Sequence, residues 1–249
     1  MWSWLRDDAR AWSFSDRAAV AWLALPLVAT VLLAAAYLVK PVFRFLTDED
    51  SIIEWIQILA LVAGIAGTAR VALIMYRRRA RRFTVVFSIM AMAAFVVAGE
   101  EISWGQRLLG IETPGALEEI NKQGETNIHN IGLTQGGFWT AELIVGLYCV
   151  IVPLVVAARR LAVPWRPSFA LVPPLFLVTW FALPLAYRLA RLTVVPHAGF
   201  AVVRMGELTE LALYSGAATF AWLVLMRLRR QPVSSGGVAS LPAGRPPEH

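Results

Sequence analysis

Long apolar runs alternate with short polar stretches along the whole chain, and their lengths predict helices that cross a bilayer. A hydrocarbon core about 30 Å thick needs roughly 20 apolar residues in a helix. Six runs meet that length, at 18–39, 52–76, 83–101, 137–158, 168–187 and 199–226. The pattern predicts an all-α polytopic membrane protein with six transmembrane helices. Ahead of the first run, Trp2, Leu5, Ala9 and Trp12 recur at helical spacing, predicting an interfacial helix within residues 1–17. The six-helix domain then occupies 18–230. The tail 231–249 is rich in Pro, Gly and Ser and reads as a disordered segment.

Composition agrees. Of 249 residues, 58% are hydrophobic and 16% are charged, where soluble domains carry about 25% charged residues. Mean hydropathy is +0.60. One cysteine, Cys149, excludes an intramolecular disulfide and a thiolate zinc cluster. The net charge of +6 comes almost wholly from arginine, since Lys40 and Lys122 are the only lysines. The arginines group between runs rather than on one face, which is a topology signal and not a nucleic-acid surface.

That grouping sets an orientation. YRRRARR at 76–82, Arg159, Arg160 and Arg166, and Arg227, Arg229 and Arg230 fall on one side. The positive-inside rule makes that side cytoplasmic and both termini cytoplasmic, N-in and C-in, in a cytoplasmic (inner) membrane of bacterial type.

Placing the ionisable residues by depth puts Glu54, Glu100, Glu101, Glu142, Arg204, Glu207 and Glu210 toward the outer side. A charged group in mid-bilayer costs at least about 2.5–3.5 kcal/mol, so these groups should share a polar cavity. Arg204, Glu207 and Glu210 follow i, i+3 and i+6, with Tyr214 continuing that face. Glu100, Ser103 and Arg107 also read as one helical face. The competing reading is structural: Arg204–Glu207 and Glu100–Arg107 as buried ion pairs that hold helices together.

The longest loop, 102–136, reads as an outer lid. Thr113-Pro114 opens a short helix that Gly124 closes. Its end, GETNIHN, carries Glu125, Asn127, His129 and Asn130. In a helix, Glu125 and His129 stand i, i+4 and suit two ligands of one metal ion. Neither HExxH nor ExxH is present. The competing role for His129 and the two asparagines is to cap the next span.

GEEISWGQRLLGIETP followed by INKQGETNIHN resembles the signature of a family of uncharacterised bacterial polytopic membrane proteins. The resemblance spans about 98–130, implies a related membrane fold and carries no activity. Intramembrane CAAX-type proteases also pair two glutamates, but the arginine they carry four residues later is Gly105 here, and the later FxxxH is lacking. Alkaline ceramidase-like hydrolases use three zinc histidines. Here only His129 and His197 lie outside the tail.

The expectations are therefore these. A membrane-embedded hydrolase or transferase would act on a lipid or lipid-like substrate. Glu100, Glu101 and Glu207 would be catalytic. His129, Glu125 and His197 would hold a divalent metal, and Arg204, Arg107, Glu210, Asn127 and Asn130 would bind substrate. No nucleotide, haem or nucleic acid is expected. The alternatives are a proton-coupled transporter of lipids or small molecules and a non-catalytic assembly partner.

Overall fold

A computed structural model describes residues 2–48, 51–110, 113, 115, 132–159 and 170–230. Among these residues there are helices and no strands. In chain order, α1 is Trp2–Ala11, α2 Asp16–Ala36, α3 Lys40–Thr47, α4 Ile52–Arg77, α5 Arg81–Glu101, α6 Gln106–Leu109, α7 Gly132–Ala158, α8 Val178–Thr193 and α9 Phe200–Arg230. Six of them are long and apolar enough to cross a membrane: α2, α4, α5, α7, α8 with the 3₁₀ turn Leu175–Leu177 before it, and α9. Apart from Thr113 and Gly115, the lid helix expected at 113–124 lies outside the described residues, as do the cap at 125–130 and the tail 231–249.

Polar caps start the helices where the sequence places Ser ahead of an apolar run. Ser15 accepts from the Ala18 N–H at the start of α2, and Ser51 accepts from the Glu54 N–H at the start of α4. α4 packs between α5 and α9, α9 also meets α8, α7 lies along α8, and α2 leans on α8. The α4–α9 seam is made close by small residues. A Cβ on Gly67 would stand 3.1 Å from the Ala221 Cβ and 3.3 Å from the Trp222 ring. That approach lets the Trp222 indole donate to the Ala63 carbonyl at 2.9 Å.

Contacts between chain-distant residues define two ends. At one, Arg78 donates to the Leu228 carbonyl at 2.9 Å, and the Arg227 guanidinium lies 4.9 Å from the Trp12 ring. This arginine end therefore joins the close of α4, the close of α9 and the N-terminal segment. The core beside it is apolar: Val71, Met75, Phe87, Phe220, Val224 and Leu225 are buried there. The other end collects carboxylates.

Three expectations are corrected. The fifth span was expected at 168–187, but its helical part runs from Leu175 to Thr193. Pro173 and Pro174 break the helix there, with Pro174 extended at ψ 151°. Past Tyr187 the helix continues because Arg188 and Arg191 find polar partners. The first span ends at Ala36, earlier than expected, and a separate helix, α3, follows, with Phe43 buried against Leu33, Ile53 and Leu208. Finally, Glu100, Ser103 and Arg107 do not continue one helical face. α5 stops at Glu101, and Ser103, Trp104 and Gly105 take positive φ values of 47°, 54° and 82°.

The N-terminal helix packs into the bundle. Leu5 and Ala9 are buried in the bundle, Phe14 stacks on Phe176 at 4.7 Å, and Asp8 accepts the Leu175 N–H at 2.6 Å. Burial pushes the Asp8 carboxyl up to about 7, against the lowering effects of that N–H and of Arg227.

Candidate functional site

The carboxylate end is assembled from five helices. α5 supplies Glu100 and Glu101 in its last turn. Both are adjacent in sequence, so they leave the helix about 100° apart and meet different neighbours. Glu100, 2% exposed, accepts from the Trp104 indole N–H at 2.7 Å. The left-handed turn after α5 folds Trp104 back to make that bond, and Gly99 makes room for it. A Cβ at position 99 would stand 2.8 Å from the Trp104 ring. The GEEISWG run is thus the code for one compact end-of-helix turn.

Glu101 points across to α9, where the Tyr214 hydroxyl donates to its Oε1 at 2.9 Å. Glu54, Glu142 and Glu207 lie in electrostatic range of Glu101. Glu210 shares range with Glu207, Glu101 and Glu142 and with Arg188. Gln57 of α4 is fully buried beside them. Its Nε2 donates to the Glu207 carbonyl at 2.7 Å and reaches Glu207 Oε2 at 3.4 Å, while its Oε1 has no donor among the described residues.

Arg188 is the cationic centre of this end among the described residues. Its Nε donates to Glu142 Oε2 at 2.6 Å, and its NH2 forms a second contact with the same oxygen. The same NH2 lies 3.9 Å from Glu210 Oε1, and the guanidinium stacks 4.8 Å from the Trp139 ring. One arginine thus ties α7, α8 and α9, with an Arg fork matched to a carboxylate. Arg191 donates to the Tyr187 hydroxyl at 3.2 Å, and that hydroxyl donates to the Val202 carbonyl at 3.0 Å.

Of the residues singled out from the sequence, Glu101, Glu207 and Glu210 come together here, and Glu100 adjoins them through its own turn. Arg204 does not pair with Glu207. It lies 3.7 Å from Asp48 and over the Phe200 ring, at the corner between α3 and α4. The i, i+3 spacing permits the first pairing, but the long Arg204 side chain meets a carboxylate from a neighbouring element instead. His197 is exposed on the turn between α8 and α9 and makes no hydrogen bond or ion pair with the cluster. Arg107 is described in its backbone only. Glu125, Asn127, His129 and Asn130 lie outside the described residues. Among the described residues, no group of three or more His, Cys, Asp or Glu side chains is placed to hold a metal ion.

Sequence reasoning missed Arg188, Gln57 and Trp104. Arg188 stood one residue past the expected end of its span, and an intramembrane arginine is itself a signal of a partner. Gln57 carried no charge to draw attention. Comparison with protein-family models, curated proteins and solved structures returns no match.

Proposed function

We propose that this chain is a membrane-embedded hydrolase or transferase acting on a lipid-like substrate at the carboxylate end of its bundle. The observation that carries the reading is the Glu101–Tyr214 pair, set among Glu54, Glu142, Glu207 and Glu210. Glu101 is the general base. Its Oε1 is held by the Tyr214 O–H, which leaves Oε2 to take a proton from water or from a substrate hydroxyl. The deprotonated water or hydroxyl oxygen attacks an acyl or phosphoryl centre, the bond to the leaving oxygen breaks, and Glu101 gives its proton to the leaving oxygen. Arg188 and Glu142 are positioning residues that hold α7, α8 and α9 around the site. The orphan Oε1 of Gln57 suits a hydroxyl or amine donor on the substrate.

The depth of the site favours a lipid-like molecule, because the helix ends stand where headgroups lie. Transport is the weaker reading. The arginine half of the bundle is lined mainly by Phe87, Met75, Val71, Phe220 and Val224, with Thr68 and Asp8 the polar side chains among them. In this reading the arginine end is cytoplasmic, both termini are inside, and the membrane is the inner membrane of a bacterium. Glu125 and His129 remain the ligand pair to test, by elemental analysis of purified protein beside His129→Ala.

The deciding assay uses liposomes made from the total lipid of the expressing cell, with lipids followed by mass spectrometry. Wild type is expected to convert a lipid class, and Glu101→Gln to slow this about 10²- to 10⁴-fold. Glu101-dependent proton flux with no lipid conversion would establish transport instead.

A further inference from the structure

The α4–α5 hairpin carries a second feature, which opens at the arginine end of the bundle and runs along the two helices as far as Phe95, whose ring meets Trp104. A cleft of about 510 Å3 runs between the two helices on their outward face. Its floor is cut by small residues such as Ala69 and Ser88, and its walls are Leu73, Tyr76, Met92 and Phe95. These walls are open to the surroundings rather than packed on protein: Tyr76 is 70% and Met92 62% exposed. The volume falls in the range of ligand pockets, about 300–1,000 Å3.

A second cleft of about 640 Å3 continues the first, sharing Tyr76 and Thr84 with it. It is lined by Arg77, Arg79 and Arg81. α4 ends at Arg77 and α5 begins at Arg81, and Arg79 sits between them at φ 57°. This tight turn brings the three guanidinium groups to one mouth. Arg78, by contrast, turns away to the Leu228 carbonyl. The guanidinium groups of Arg77, Arg79 and Arg81 make no hydrogen bond or ion pair among the described residues.

We propose that this groove binds one anionic diacyl phospholipid. The phosphodiester sits among Arg77, Arg79 and Arg81, the Tyr76 hydroxyl faces the glycerol region, and an acyl chain fills the cleft down to Phe95. Guanidinium groups match phosphate geometry with paired N–H donors. Basic pockets between membrane helices select anionic headgroups for that reason. The apolar cleft adds what a surface charge cluster lacks, a fixed seat for the chain. The combination predicts a discrete stoichiometry rather than diffuse attraction.

Native mass spectrometry of the full chain in non-ionic detergent tests this, with equimolar phosphatidylglycerol and phosphatidylcholine of matched chains. One phosphatidylglycerol should be retained in preference to phosphatidylcholine. Each arginine removed should weaken retention about fivefold, so Arg77→Gln, Arg79→Gln and Arg81→Gln together should weaken it about a hundredfold. These side chains are exposed, so the triple variant is expected to keep the fold. Ser88→Phe, which fills the cleft and leaves the arginines in place, should also abolish retention. Three results would each overturn the proposal. Arg229→Gln with Arg230→Gln, at the same end, could lower retention as much as the triple variant, which would mean diffuse attraction. Ser88→Phe could leave retention unchanged. Glycerol 3-phosphate could displace the lipid at equal concentration, which would make the site one for a free phosphate.

Discussion

Tyr214 of α9 donates its hydroxyl to Glu101 of α5 at 2.9 Å, although the two residues are 113 positions apart in sequence. The bond crosses from α5 to α9, helices that lie on opposite sides of α4. Tyr214→Phe removes the donor and leaves a buried acceptor unmatched, a loss of about 1–3 kcal/mol. The same change should slow lipid conversion without abolishing it, since Glu101 keeps its basic oxygen. Adding Tyr214→Phe to Glu101→Gln should cost little more than Glu101→Gln alone. Additive losses in that double-mutant cycle would show that the two residues act separately.

The Arg188–Glu142 pair makes a sharper demand on stability. Removing one partner leaves an uncompensated charge in the bundle, at about 3–5 kcal/mol. Arg188→Met and Glu142→Leu should each lower the thermal midpoint in detergent strongly. The double variant should recover most of the loss, because two apolar side chains need no counter-charge. A double variant as unstable as either single one would mean that the pair's other contacts, Trp139 and Glu210, carry the stability.

Gly99 makes room inside α5 for the turn that follows it. Gly99→Ala places a methyl 2.8 Å from the Trp104 ring, so the indole must leave its seat over the helix. Loss of the Trp104–Glu100 bond should cost about 1–3 kcal/mol. Trp104→Phe should cost a similar amount, and Gly99→Ala should add little to it. Thermal midpoints of the two single variants and the double variant in detergent check this.

Asp8 should make docking of α1 pH-dependent. Its carboxyl sits near 7 in the folded chain and near 3.8 when exposed. Between those values the docked state holds a proton that the undocked state releases. Docking is therefore strongest below about pH 4 and weakens as pH rises toward 7. Asp8→Asn keeps an oxygen for the Leu175 N–H and removes the charge. It should flatten this dependence and slow amide exchange in α1 at neutral pH. A variant that keeps the wild-type pH slope would assign the titration to another group.

The α4–α9 seam can be opened without touching any charge. Gly67→Leu drives a side chain into Ala221 and Trp222, where even a Cβ stands at 3.1 Å. Overpacking of this kind costs about 1–3 kcal/mol. It should also weaken the carboxylate site at a distance, because Gln57 and Glu207 face each other across the same pair of helices. A fall in stability with unchanged lipid conversion would show that the two parts of the seam are uncoupled.

Much of the helix plan was legible beforehand, and the exceptions are informative. The spans ending near Glu101 and beginning near Ile52 were readable because apolar runs stop where charge begins. The fifth was misplaced at both ends. Its start was hidden by Pro173 and Pro174, which are apolar yet not helical there, and its end by Arg188, which is charged yet paired. The same rule that located four spans therefore failed where a charged residue had a partner. For the site, the i, i+3 register along α9 correctly grouped Glu207 and Glu210. It wrongly joined Arg204 to them, because register along one helix does not say which neighbouring element arrives first.

Hydropathy and charge along the chain determined that six long apolar helices form and that the carboxylates gather toward one set of helix ends. Both follow from the cost of exposing backbone or charge to a hydrocarbon phase, a cost paid residue by residue. Only the tertiary structure decided that Glu101 meets Tyr214, that Glu142 meets Arg188 and that Arg204 goes to Asp48. Those partners come from different helices, and their meeting depends on which small residues let two helices approach and on the turn at which a helix stops. Neither is encoded in the spacing of one segment.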